Sequence, residues 1–158
     1  MDHNLVRRLG GTLAAVALVL SACGGGASPG ATTTTATGTP AAGGATTIDV
    51  TLQEFAVIPS ADAAPAGDVT FKITNDGPED VHEFVILKTD LGASALPTDE
   101  DGAVDETGAG IEVIGEVEDL AAGATDQLVV TLTTGHYALI CNLEGHYTGG
   151  MWADFQAT

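Results

Sequence analysis

In the C-terminal part of the chain, apolar and polar residues alternate in short runs. Ile48, Val50 and Leu52 alternate with Asp49, Thr51 and Gln53. Val69, Phe71 and Ile73 alternate with Thr70, Lys72 and Thr74, and Leu128, Val130 and Leu132 repeat the pattern. A period of two puts one face of a strand in a core and the other in water. The stretch HEFVIL, His82 to Leu87, is nearly continuous in apolar residues after Glu83, as in a strand covered on both faces. Ile111 to Val117, with a kink expected at Gly115, Tyr137 to Cys141 and Met151 to Ala157 complete the set of seven predicted strands. The phase slips at Glu54-Phe55, which predicts a bulge or bend. Asn75-Asp76-Gly77-Pro78 has the residue types of a turn. Short strands separated by turn signals, with no long amphipathic helix, predict an all-β fold. An antiparallel Greek-key β-sandwich or barrel of about seven to eight strands fits this spacing. Residues 88–109 break the pattern with a long acidic loop that has room for a short helical turn, and loops of that length are often functional or mobile.

The N-terminal part reads differently. Arg7 and Arg8 precede the apolar run LAAVALVL, Leu13 to Leu20, which is too short to remain as a membrane span. A basic start followed by such a run is the pattern of a bacterial export signal. The run ends in Leu20-Ser21-Ala22-Cys23, which resembles the lipobox of bacterial lipoproteins. That resemblance implies cleavage before Cys23, a lipid on its thiol and anchorage to the bacterial cell membrane from the extracytoplasmic side. Residues 24 to 46 consist mainly of Gly, Ala, Thr, Ser and Pro, with no charge, and read as a flexible tether. The expected organisation is a signal at 1–22, a lipidated cysteine and linker at 23–46, and one folded domain at 47–158.

Charge narrows the partners. The chain has 22 acidic residues against 4 Lys and Arg, a net charge of -18. Two of the four bases, Arg7 and Arg8, lie in the expected signal, leaving Lys72 and Lys88. Such a surface repels nucleic acid and anionic headgroups and favours basic partners. The 44% of hydrophobic residues and the strand patterns exclude an acidic disordered chain. Two cysteines, Cys23 and Cys141, would ordinarily pair in a secreted protein. Each has its own local role, so no disulfide is expected.

The local role of Cys141 lies in CNLEGHYTGGM, residues 141 to 151, which spells Cys-x4-His-x4-Met between two predicted strands. His82 opens a strand of its own about sixty residues upstream. Taken singly, Cys141, His82 and Met151 would pass as core residues, and His146 as a loop histidine. Together they supply a thiolate, two imidazoles and a thioether, a set that suits copper in both of its oxidation states. The sequence resembles the cupredoxins, and its loop is most similar to those of the rusticyanin, auracyanin and sulfocyanin branches. They share Cys-x4-His-x4-Met with a glycine before the His and before the Met, here Gly145 and Gly150. The resemblance spans roughly 48–158 and implies one type 1 copper ion held by His82, Cys141, His146 and, more weakly, Met151. Two positions depart from the family. Glu144 stands where many relatives have proline, and Glu83 where many have an asparagine that ties two loops together.

The function expected is outer-sphere electron transfer on a Cu(I)/Cu(II) couple, with His146 as the exposed ligand. An extracytoplasmic copper carrier or buffer is the alternative, weakened by the presence of only two methionines. Copper enzymes need further His-rich centres, and four histidines do not supply them, so an enzyme is not expected. Expected partners are redox proteins such as basic cytochromes or membrane oxidoreductases, with no nucleic acid, and the protein is expected to be a monomer. Tyr147 and Trp152 could form an apolar rim around His146, and Trp152 could equally pack in the core. His136 is read as a surface residue, and His3 as part of the signal.

Overall fold

The computed structural model describes residues 46–158. The expected export signal and the lipidation site at Cys23 therefore lie outside the described residues, as does nearly all of the tether.

The alternating runs form two facing sheets. In chain order the strands are β1 (Thr46–Gln53), β2 (Ala56–Pro59), β3 (Ala63–Ala64), β4 (Gly67–Asn75), β5 (His82–Lys88), β6 (Glu112–Leu120), β7 (Thr125–Leu132), β8 (Gly135–Ile140) and β9 (Trp152–Ala157). One sheet has the order β2-β1-β4-β7 and the other β3-β9-β8-β5-β6. All seven predicted strands are present. Two short ones, β2 and β3, raise the total to nine, above the seven to eight expected. The phase slip at Glu54-Phe55 is a hairpin turn, after which Gln53 pairs with Ala56. The chain then crosses to the opposite sheet for β3 and returns as β4. Because β2 has already reversed the chain, β4 runs parallel to β1, with Ile48 opposite Phe71 and Val50 opposite Ile73. β3 and β9 are also parallel. The sandwich is therefore mixed, which corrects the purely antiparallel expectation.

The inward residues of both sheets make one core. Phe71 lies 5.6 Å from Phe84 and 5.5 Å from Phe155, centroid to centroid, and joins the sheets at the centre. β5 explains its own continuous apolar run, because Phe84 and Ile86 belong to this core while Val85 and Leu87 belong to a second. That second core covers the outer face of β5 and β8 with Ala93, Leu96, Val104 and Tyr147. The expected helical turn is a 3-10 turn at Ala93–Ala95. The acidic 88–109 loop thus lays Ala93, Leu96 and Val104 on the sheet and leaves most of its carboxylates exposed, with Glu106 half-buried. The kink expected at Gly115 is a register shift in the β5–β6 ladder, where Ile86 faces Gly115 but Leu87 faces Val113.

Candidate metal centre

Three of the four predicted donors come together through elements that meet at one end of the sandwich. His82 opens β5. The loop before it is held by Asn75, which is wholly buried. The Asn75 amide donates to the carbonyls of Asp80 and Leu120, at 2.8 Å each, and its Oδ1 accepts from Gly77 N at 2.9 Å. Cys141 follows β8 directly. The chain then makes a single helical turn, α1 (His146–Gly149), and enters β9. Gly145 and Gly150 bracket that turn with φ of 76° and 118°, a left-handed backbone that glycine adopts without steric cost. Cys141 N donates to Met151 O, and Met151 N to His146 O, at 3.1 Å each, closing the ligand loop on itself.

Nδ1 of His82 lies 3.2 Å from Nδ1 of His146. Cys141 Sγ lies 3.4 Å from the His146 Nδ1 and 3.9 Å from that of His82. All three donor atoms thus fall within 4.8 Å of one another. Met151 is wholly buried in the core that also contains Cys141, and the Cys141–Met151 hydrogen bond sets their backbones side by side. His82 and Cys141 are buried and His146 is half-buried, so the centre opens to solvent through the His146 ring.

Electrostatics fit a site completed by a cation. Burial pushes the Cys141 thiol up, and hydrogen bonding from the backbone of Glu83 and Leu143 only partly opposes this. A coordinated metal reverses that balance by replacing the thiol proton. Burial, with the neighbouring His146, holds His82 below the usual imidazole range, so the ring favours its neutral, ligating form. Glu83 N–H reaches Cys141 Sγ at 3.3 Å. The Glu83 carboxyl is pushed up to about 7 by burial and by the charges of Glu106, Glu116, Glu118 and Asp119.

Other expectations resolve residue by residue. Glu144 is exposed and faces water. Asn142, next to Cys141, ties the ligand loop to the 88–109 loop, while the backbone of Glu83 meets Cys141 Sγ directly. The Asn142 Oδ1 accepts from Val104 N at 2.6 Å, and its Nδ2 donates to Glu106 at 2.7 Å. Tyr147 is buried, its hydroxyl accepting from Leu96 N and donating to Ala93 O. It anchors the second core and is no part of a rim, whereas Trp152 remains partly exposed. His136 is more than a surface residue, since its ring bridges Thr89 O at 2.9 Å and Asp154 at 2.8 Å. Sequence reasoning missed the turn residues Glu54 and Phe55. Phe55 is 51% exposed and stands edge-on to His146 at 5.6 Å. A large aromatic at a break in strand phase was the available signal.

A two-sheet sandwich with a His-Cys-His cluster on the loops at one end is the cupredoxin arrangement. Residues 63–158, more than half of the chain, match the sulfocyanin (SoxE) domain. The chain belongs to that family. Among solved structures, dithionite-reduced auracyanin from Roseiflexus castenholzii is 22% identical with a TM-score of 0.54, the match covering 72% of this chain and 98% of that one. Auracyanin B is 21% identical with a TM-score of 0.52, over 72% of this chain and 89% of that one. Rusticyanin from Thiobacillus ferrooxidans is 19% identical, with a TM-score of 0.45, over 71% and 76% of the two chains. At these identities the auracyanin matches establish the fold. No curated protein sequence matches the chain. The cofactor this donor set fits is one type 1 copper ion, since thiolate, imidazole and thioether are the ligands that serve copper in both oxidation states.

Proposed function

We propose that this protein carries single electrons on a type 1 copper ion that would be held by His82, Cys141, His146 and, more weakly, Met151. The observation that carries the reading is the convergence of two Nδ1 atoms and one Sγ at separations of 3.2 to 3.9 Å in a largely buried pocket. Copper supplies the one-electron couple. The protein supplies a cage fixed by two sheets and by the closed Cys141–Met151 loop, so the donors need little rearrangement between oxidation states. Four donors from the chain leave the metal no open position for a substrate, which favours a carrier of electrons over a catalyst.

His146 is the exit, because its ring is the donor that solvent reaches, and Phe55 beside it extends an apolar contact surface. Acidic residues at 99–106 surround the neighbouring loop and favour a basic redox partner, such as a cytochrome, through electrostatic steering. The N-terminal pattern supports an extracytoplasmic protein tethered by a lipid on Cys23. The mass of the mature N-terminal peptide tests this, and an unmodified Cys23 would refute the anchor. Adding Cu(II) to the purified metal-free protein tests the main reading. An intense blue thiolate-to-copper band, lost in Cys141→Ser, is the expected result. Tight Cu(I) binding with no such band would identify a copper carrier instead.

A further inference from the structure

The β1–β2 turn touches both imidazoles of the centre. Phe55 packs on His146, and Glu54 faces His82. Among the described residues, Nε2 of His82 is the buried side-chain nitrogen left without a hydrogen-bond partner. The acidic oxygen facing it is Glu54 Oε1, 3.6 Å away on a partly buried side chain. The other nitrogen of the ring, Nδ1, faces Cys141 and His146. If Nδ1 serves a metal, Nε2 must carry the ring proton, and a buried N–H needs an acceptor.

Glu54 is built to be that acceptor. It is held in place by Asp80 N–H, which donates to the same Oε1 at 3.1 Å. The backbone of Gly77 passes so close that a Cβ there would lie 2.5 Å from Oε1 and 2.7 Å from Oε2. Only a residue without a side chain leaves the carboxylate where it is.

We propose that Glu54 is the positioning residue of His82: its carboxylate accepts a hydrogen bond from the protonated Nε2, leaves Nδ1 as the metal donor, and adds a negative charge that favours the more positive oxidation state. Carboxylates that orient ligating histidines in this way also raise the basicity of the ring. The inference rests on the electron-transfer reading above for its redox consequence, but not for the tautomer.

Two measurements test it. In metal-free protein, 15N NMR should show His82 protonated at Nε2, and Glu54→Leu should lose that preference. In the copper-loaded protein, Glu54→Gln should weaken Cu(II) relative to Cu(I) by roughly tenfold, raising the reduction potential by about 59 mV. Gly77→Ala, which displaces the carboxylate without changing any charge, should move the potential in the same direction, and Glu54→Asp should restore most of the wild-type value. A Cu(II)-to-Cu(I) affinity ratio within twofold of wild type in both Glu54→Gln and Gly77→Ala, with an unchanged tautomer in Glu54→Leu, would overturn the proposal. Absence of the blue band in the wild-type protein would sink the electron-carrier reading instead, and the metal-free tautomer would still decide the role of Glu54.

Discussion

Single polar side chains with buried hydrogen bonds set the geometry around the centre. Asn75 satisfies three backbone groups at once and so fixes the segment that delivers His82. Replacing it with alanine leaves buried donors and acceptors unpaired, each at a cost of about 1–3 kcal/mol. Asn75→Ala is therefore expected to destabilise the protein by about 3 kcal/mol, read as a lower urea midpoint. At the opposite end of β8, Asp154 accepts from Ala93 N and from His136, at 2.8 Å each. Hydrogen bonding from Ala93, joined by His136, outweighs burial and holds Asp154 below the usual carboxylate range. A carboxylate depressed in the folded state adds stability above its unfolded value, and that stability is lost as pH falls through the folded value. The wild-type advantage over Asp154→Asn should thus be present at pH 7 and shrink below about pH 4. A difference that stays constant down to pH 3 in urea titrations would contradict this.

Among the elements, β5 does the most to join parts of the fold. It lies between β8 and β6 in the larger sheet, carries His82 at its start, and is buried on both faces between two cores. Its outer face is covered because the 88–109 loop is fastened down, by Tyr147 and Asn142 from the ligand loop and by Asp154 from β9. Removing the Tyr147 hydroxyl leaves Leu96 N and Ala93 O without their partner. Tyr147→Phe is expected to cost about 2 kcal/mol and to speed hydrogen exchange at Leu96. Since Tyr147 follows His146 directly, the same hydroxyl couples the acidic loop to the exposed ligand. Exchange at Leu96 matching wild type would show that the apolar contacts suffice.

For the molecule as a whole, charge is the dominant feature. Lys72 and Lys88 are the only lysines, and there are no arginines, among residues 46–158, while acidic residues occur throughout them. Lys88 donates its ammonium to Thr133 at 2.7 Å. Self-repulsion of this kind opposes the compact state, and salt screens it over a Debye length of about 8–10 Å. The melting temperature of the metal-free protein should therefore rise between 20 mM and 500 mM sodium chloride, by on the order of a few degrees. A flat or falling profile would mean that the carboxylates are already compensated in the fold. The same field should make association with a basic partner weaken as salt increases, the opposite trend to stability.

The parts of this protein legible in one dimension were those with a local signature. Alternation marked β1, β4 and β7 because the pleat imposes a period of two on each strand separately, and a continuous apolar run marked β5 because both of its faces are covered. The spacing of Cys141, His146 and Met151 announced a ligand loop because those donors lie within one connection between adjacent strands. His82 could be added by resemblance. The strands β2 and β3, the parallel pairing of β1 with β4, the burial of Tyr147 and the bridging role of His136 were not legible. Each depends on which distant segment lies alongside, and local spacing has no information about that. Glu54 shows the limit most sharply. To a reader of the chain it is a charged residue at a bend. Only the meeting of a hairpin from one sheet with the first residue of β5 in the other sets its carboxylate 3.6 Å from a buried imidazole nitrogen, because contacts between sheets are made by packing and not by sequence adjacency.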